Sequence, residues 1–148
     1  MKIIGIIFII FASLFATVCY EKKLKIKIIR LEALFDFISY METQISLFSL
    51  PINSIFSNYK LNTELIYKIK EKKYEDFYVY DEDFSVKVIN FFENIGKGYK
   101  DQQLKSCKAF ADILNKELVS QKSDIKNKIK IFRTMAFFLS ACIIIFIV

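Results

Sequence analysis

The residues in this chain that could do chemistry are few, and their spacing suits little of it. Histidine is absent from all 148 positions, which removes the commonest general base, a frequent metal ligand and any Ser-His triad. The densest carboxylate run is Asp81-Glu82-Asp83. Adjacent side chains on a helix do not face one another, so this run reads as a solvated loop and cap, with Asp83 capping the helix that follows, rather than as a metal site. Cys19, Cys107 and Cys142 show neither disulfide nor metal-ligand spacing; they read as free, buried thiols. No glycine-rich loop is present to cradle phosphate. The basic stretch Lys68-Ile69-Lys70-Glu71-Lys72-Lys73 reads as a solvated helix face. The expectation is therefore a chain without catalytic residues, cofactor, bound metal or small-molecule substrate: not an enzyme, but a protein that holds other molecules.

What must hold those partners is set by where the apolar residues lie. They make up 54% of the chain, more than a soluble domain of this size usually carries, and they gather at the two ends. Ile3 to Tyr20 is an uncharged run of 18 residues. As a helix rising about 1.5 Å per residue it reaches ~27 Å, close to the ~30 Å hydrocarbon core of a bilayer. Thr134 to Val148 gives a second run of 15 residues, or ~22 Å, which Ile131 and Phe132 extend if Lys130 and Arg133 reach out to the headgroups. A cleaved signal peptide is the competing reading of the first run. It is opposed by a basic region of Lys2 alone and by the β-branched Val18 at the end of Ala16-Thr17-Val18; Val18 also disfavours a lipoprotein signal at Cys19. A buried core helix is the competing reading of the second run.

Charge then orients the chain. Lys22, Lys23, Lys25, Lys27 and Arg30 follow the first run, and Lys122, Lys126, Lys128, Lys130 and Arg133 precede the second. All 16 acidic residues and all but one of the 22 basic ones lie between the runs. By the positive-inside rule this middle segment is cytoplasmic and both termini lie on the far side. Much of the basic charge sits where it would meet anionic lipid, so nucleic acid is not an expected partner.

The middle segment holds one proline and two of the three glycines, too little turn chemistry for a sheet. Leu24, Ile28, Leu31, Phe35, Ile38, Met41, Ile45 and Phe48 recur every three or four positions, so one helix continues from the first run to about Phe48, with Leu34 and Phe37 widening its apolar seam. Lys23 to Ile28 also alternates as a strand would, but it is too short and adjoins a helix with no reason to stop. Pro51 starts a short helix from Ile52 to about Tyr59. Asn62 or Thr63 caps the next, which buries Leu65, Ile66 and Ile69. Tyr74 to Asp83 is acidic and aromatic and reads as a loop or helical turn packed on the bundle. A helix from Asp83 carries Phe84, Val88, Phe91, Phe92 and Ile95 and ends at Gly96, where left-handed geometry favours glycine. The last helix starts near Asp101, with Leu104, Cys107, Phe110, Ala111, Ile113, Leu114 and Leu118 on its seam, and runs into the second apolar run. Two long helices returning to one membrane must be antiparallel. The expected fold class is all-α, an antiparallel helical bundle (residues 21–133) between two terminal transmembrane helices (residues 1–20 and 134–148).

Along this plan the chain resembles the stage III sporulation protein AB family of endospore-forming Firmicutes, over almost its full length. The likeness is carried by Met41-Glu42-Thr43-Gln44-Ile45 followed by Leu50-Pro51-Ile52, then by Phe91, Glu93, Ile95-Gly96, Gln103, Lys105 and Leu114 before the closing apolar tail. The resemblance implies a protein of the mother-cell membrane facing the forespore, a subunit of the channel complex between the two cells. Its cytoplasmic domain would be similar to the inner-membrane platform proteins of type II secretion and type IV pilus machines. It implies as partners the membrane, other proteins of the stage III operon including the AA ATPase, and a homo-oligomer as a further option. Glu42, Gln44, Pro51, Gly96, Gln103 and Lys105 become candidates for partner contact or for structure. Two readings compete: a generic membrane-anchored scaffold outside sporulation, and an anionic-lipid binder using the two basic stretches.

Overall fold

The structure, a computed structural model, describes residues 2–60, 63–77, 80 and 82–147. Among them are five α-helices: α1 (Lys2–Phe48), α2 (Ile52–Asn58), α3 (Thr63–Lys70), α4 (Glu82–Asn94) and α5 (Lys100–Ile147), with a 3-10 turn at Glu75–Phe77 between α3 and α4. No strand occurs among the described residues. The all-α class follows, and the helical reading of Lys23 to Ile28 prevails over the strand.

The chain divides into two compact units, residues 1–29 with 118–148, and residues 30–117. In the second unit, α1 buries Leu31, Ala33, Leu34, Phe37, Ile38, Met41 and Ile45, the face that the three-and-four spacing marks. Phe37 is fully buried, with Phe56 and Tyr59 at 5.0 and 4.9 Å between ring centroids and Phe92 at 6.4 Å. Such tilted and edge-on pairs stabilise by about 0.5–1.5 kcal/mol beyond area burial. Phe91 stacks on Phe110 at 4.2 Å, joining α4 to α5. Fully buried Cys107 and Leu114 complete the α5 seam. The α1 and α5 segments of this unit run antiparallel, since Glu42 meets Lys108 at 3.9 Å while Ser46, farther along α1, meets Lys100, farther back on α5.

The joints follow local chemistry. Pro51 stands at φ −66° immediately before α2, where its missing N–H costs nothing, and its carbonyl accepts from the amides of Ser54 and Ile55. Gly96 closes α4 at φ +92°, a conformation that a Cβ disfavours. The segment after α3 packs as expected: Tyr74, Phe77 and Tyr80 are buried, and Ser85 on α4 donates its hydroxyl to the Phe77 carbonyl at 2.7 Å.

Two expectations need correction. Phe48 is 63% exposed rather than part of the seam, because α1 stops there and Ser49 turns away at φ +51°. Asp83 does not cap α4; it lies within the first turn and pairs with Lys87 one turn on, which still sets a negative charge at the helix N-terminus. Helix α5 begins at Lys100, in keeping with the expected start near Asp101. The alternative caps of α3 are Asn62, outside the described residues, and Thr63, the first residue of the helix.

In the first unit, the opening of α1 and the close of α5 also run antiparallel, with Tyr20 stacked on Phe132 at 4.3 Å and Ile10 and Ile145 facing the same groove. Among the described residues no helix is long and apolar enough to cross a membrane. The expected spans draw on Ile3, Ile4, Ile6, Ile7 and Ile9 at one end and on Ile144, Phe146, Ile147 and Val148 at the other, whose side chains lie outside the described residues.

Candidate functional site

The second unit brings three of the sequence candidates to one place. The turn Ser49-Leu50-Pro51, the end of α3, the Gly96 joint and the start of α5 enclose an open groove of about 660 Å³, with Pro51, Gly96 and Gln103 in its wall. Gly96 is required there for a second reason besides its φ: a Cβ on it would sit 3.1 Å from Cγ1 of Ile52. Gln103 donates from Nε2 to the Gly98 carbonyl at 2.6 Å, so it holds the loop before α5. Gln103 and Gly96 thus both stand in the wall of the groove and in contact with its joints.

The other candidates lie apart from it. Glu42 is half-buried on α1, beside Lys108 and close enough to Cys107 to act on it. Burial, and then the Glu42 carboxylate, push the Cys107 thiol up to about 11 from its ordinary 9.0. The thiolate is the reactive form, so this cysteine is an inert packing group. Gln44 is half-buried on α1, and Lys105 is exposed on α5. Cys19 and Cys142 depart from the expectation of buried thiols; both are exposed in the first unit.

Sequence reasoning missed Lys100. Its ammonium donates to the Ser46 carbonyl at 2.8 Å and to Oγ of Ser49 at 2.9 Å. A cation there satisfies a carbonyl left open at the last turn of α1 and meets the negative end of the helix dipole. The contact links residues more than 50 positions apart, and no local pattern announces it. The lysine run after Ile66 is also more divided than a plain solvated face. Lys68 pairs with Glu64 at 3.2 Å and Lys73 with Glu71, whereas Lys70 and Lys72 line the groove. The Lys73 ammonium and the Tyr67 hydroxyl hold the Glu71 carboxyl below its usual range.

The basic residues read as setting topology fall on both units. Lys22, Lys23, Lys25, Lys126, Lys128 and Lys130 are exposed in the first unit, and Lys27 is half-buried there; Arg30 is half-buried at the start of the second. Arg133 does more than mark an end. Its Nε donates to Oε1 of Glu21 at 2.6 Å, while Lys25 stands 3.8 Å from the same carboxylate. Beyond this pair, an apolar groove of about 780 Å³ runs between α1 and α5 past Ser13, Thr17, Ala136 and Ser140. Thr17 and Ser140 turn their hydroxyls back onto the carbonyls of Ser13 and Ala136, at 2.9 and 2.7 Å, so neither asks for water. Phe137 lines it, and Phe8, Phe11, Phe15, Phe137 and Phe138 of the same unit are each more than 60% exposed. Among the described residues no group of three potential metal ligands comes together.

Residues 2–70 match the family model of stage III sporulation protein AB. The match takes in all of α1, α2 and α3 and three of the candidate positions, Glu42, Gln44 and Pro51. No curated protein and no solved structure matches the chain.

Proposed function

We propose that this chain, whose residues 2–70 match the stage III sporulation protein AB family model, is a member of that family and a non-enzymatic platform subunit of the complex joining mother cell and forespore. The family match is the observation that carries this reading. The ends anchor the chain in the mother-cell membrane, with residues 21–133 in the cytoplasm, where they dock a secretion-like ATPase encoded with it in the stage III operon.

Three physical features support the membrane part. The first unit exposes Phe8, Phe11, Phe15, Phe137 and Phe138, apolar surface that water would penalise by about 25 cal/mol per Å². The hydroxyls of Thr17 and Ser140 are satisfied within their own helices, as a hydrocarbon environment requires. The exposed lysines bordering that surface suit anionic headgroups. Coupling through packed helices needs no chemistry of its own, which fits a chain without histidine.

The test is genetic and biochemical. A strain lacking this chain should complete engulfment and then fail in late forespore gene expression, and the full-length protein should restore it. Detergent-solubilised full-length chain should retain the ATPase. Normal late expression in the deletion strain would refute the role. Topology should be read from Lys105→Cys in a chain cleared of its native cysteines, since Cys107 is buried and blind to solvent reagents. Labelling of that position from outside the mother cell would overturn the orientation.

A further inference from the structure

The groove at the α1–α2 turn has one sign of charge and an apolar floor. Lys70, Lys72, Lys97 and Lys100 stand on its walls, all exposed, and among the described residues no carboxylate lines it. Among the described residues none of these four lysines forms a salt bridge, although Glu64 and Glu71 pair with their neighbours Lys68 and Lys73. Lys100 is held in place from one side by Ser46 and Ser49. Lys72 is fixed by a left-handed backbone at φ +59°, its amide bonded to the Ile69 carbonyl at 2.9 Å. Below the lysines the floor is Ile52, Phe56, Phe92 and Ile95, each half-buried. Just outside, Leu47, Phe48 and Tyr99 are 69%, 63% and 89% exposed, at the end of α1 and the residue preceding α5.

The geometry points to this groove as the docking site for an acidic peptide segment of a protein partner, one that carries Asp or Glu on both flanks of a Leu, Ile or Phe. The acidic flanks meet the four lysines, and the apolar residue enters between Ile52 and Phe92. Complementary charge steers such an encounter and fixes its register, while the buried apolar anchor supplies most of the affinity. Among the described residues these four ammonium groups have no carboxylate partner, Lys97 and Lys100 donating only to neutral oxygens of Asn94, Ser46 and Ser49; they repel each other in the free protein, and a partner with two or three carboxylates relieves that repulsion. Anionic lipid would satisfy the charge but has no use for a floor walled by two helices and a turn. This deepens the platform reading, on which it rests for the claim that the chain has a protein partner.

The test uses the full-length chain in phosphatidylcholine nanodiscs and a displayed library of random twelve-residue peptides. Selected peptides should share acidic residues flanking an apolar one. The best of them, fluorescein-labelled and followed by polarisation, should bind about tenfold more weakly to Lys70→Glu/Lys97→Glu, and more weakly in 0.3 M than in 0.05 M salt, as about 8–10 Å screening lengths shrink. It should bind unchanged to Lys22→Glu/Lys23→Glu. Because all four positions are exposed, a melting curve matching that of the parent shows that the fold is intact. A selection without acidic consensus, or binding indifferent to Lys70→Glu/Lys97→Glu, overturns the proposal. So does association of the wild-type chain, but not of that variant, with phosphatidylglycerol discs, which would assign the groove to lipid. The two readings separate in the cell. If the deletion strain fails and Lys70→Glu/Lys97→Glu rescues it fully, the groove is wrong and the platform stands; if the deletion strain sporulates normally while the acidic peptide still binds, the reverse holds.

Discussion

Replacing Phe37 with alanine should open the core of the second unit, and Cys107 reports it. Phe37 is fully buried and touches rings from two other helices and the residue after α2. Phe→Ala at such a site costs about 3–5 kcal/mol, the lost transfer energy plus the cavity left behind. At 4 kcal/mol the open state becomes about a thousandfold more populated. In a chain carrying Cys19→Ser and Cys142→Ser, whose parent thiols are exposed, Cys107 is the one remaining thiol. Its alkylation requires opening, so under conditions where opening and closing are fast the labelling rate follows the open population. Phe37→Ala should therefore label about a thousandfold faster than its parent, and Phe37→Leu, which keeps most of the volume, about tenfold faster. Tyr67→Ala, at a position 59% exposed, should change the rate less than threefold. Acceleration below threefold in Phe37→Ala, or equal acceleration in Tyr67→Ala, would refute the claim that this ring organises the core around Cys107.

Stability should fall as pH rises from 9 to 11. The Cys107 proton is held up to about 11 in the folded chain and to 9.0 in the unfolded one. Above pH 9 the unfolded state thus binds fewer protons, and on the order of 2 kcal/mol present below pH 9 is lost by pH 11. Tyr59 and Tyr74, both raised by burial, act in the same direction from pH 10 upward, and a Cys107→Ala chain whose unfolding midpoint falls as steeply would count against the thiol's part. Lys100→Met should lower stability by about 0.5–1 kcal/mol through the loss of the α1 terminal contacts, whereas the exposed Lys105→Met should stay within about 0.5 kcal/mol; denaturant midpoints compare the two. Gly96→Ala forces a side chain into φ +92° and against Ile52, at a cost of about 1–2 kcal/mol, read from the same titration. A double-mutant cycle on Glu21 and Arg133 should give a coupling of about 0.5–1 kcal/mol that shrinks with salt; a coupling near zero at low salt would remove the pair from the account of the first unit.

The helices could be read from the chain because each announces itself locally. Apolar residues from Leu31 to Ile45 recur with the helical period, so their shared face is set before any partner arrives. Pro51 and Gly96 mark their joints through backbone restrictions of their own. Phe48 obeys the same period and still ends up exposed: periodicity chooses a face, while the reach of the neighbouring helices chooses how much of that face is covered. Asp83 shows the same limit at a terminus. A carboxylate is favourable at the cap and throughout the first turn, so its presence locates a helix start without fixing the residue.

What the sequence by itself determined was the set of helices, their breaks, the apolar ends and the poverty of reactive groups, all properties of composition and of neighbours a few positions apart. Which charges meet, and which find no opposite partner, was settled by the packing of distant helices. Arg133 finds Glu21 across 112 positions, Lys100 finds Ser46 across 54, and Lys70, Lys72 and Lys97 come to share one groove with it. Such pairings depend on the angle and register at which distant helices pack, and these are settled by interlocking side-chain volumes, not by any spacing along the chain.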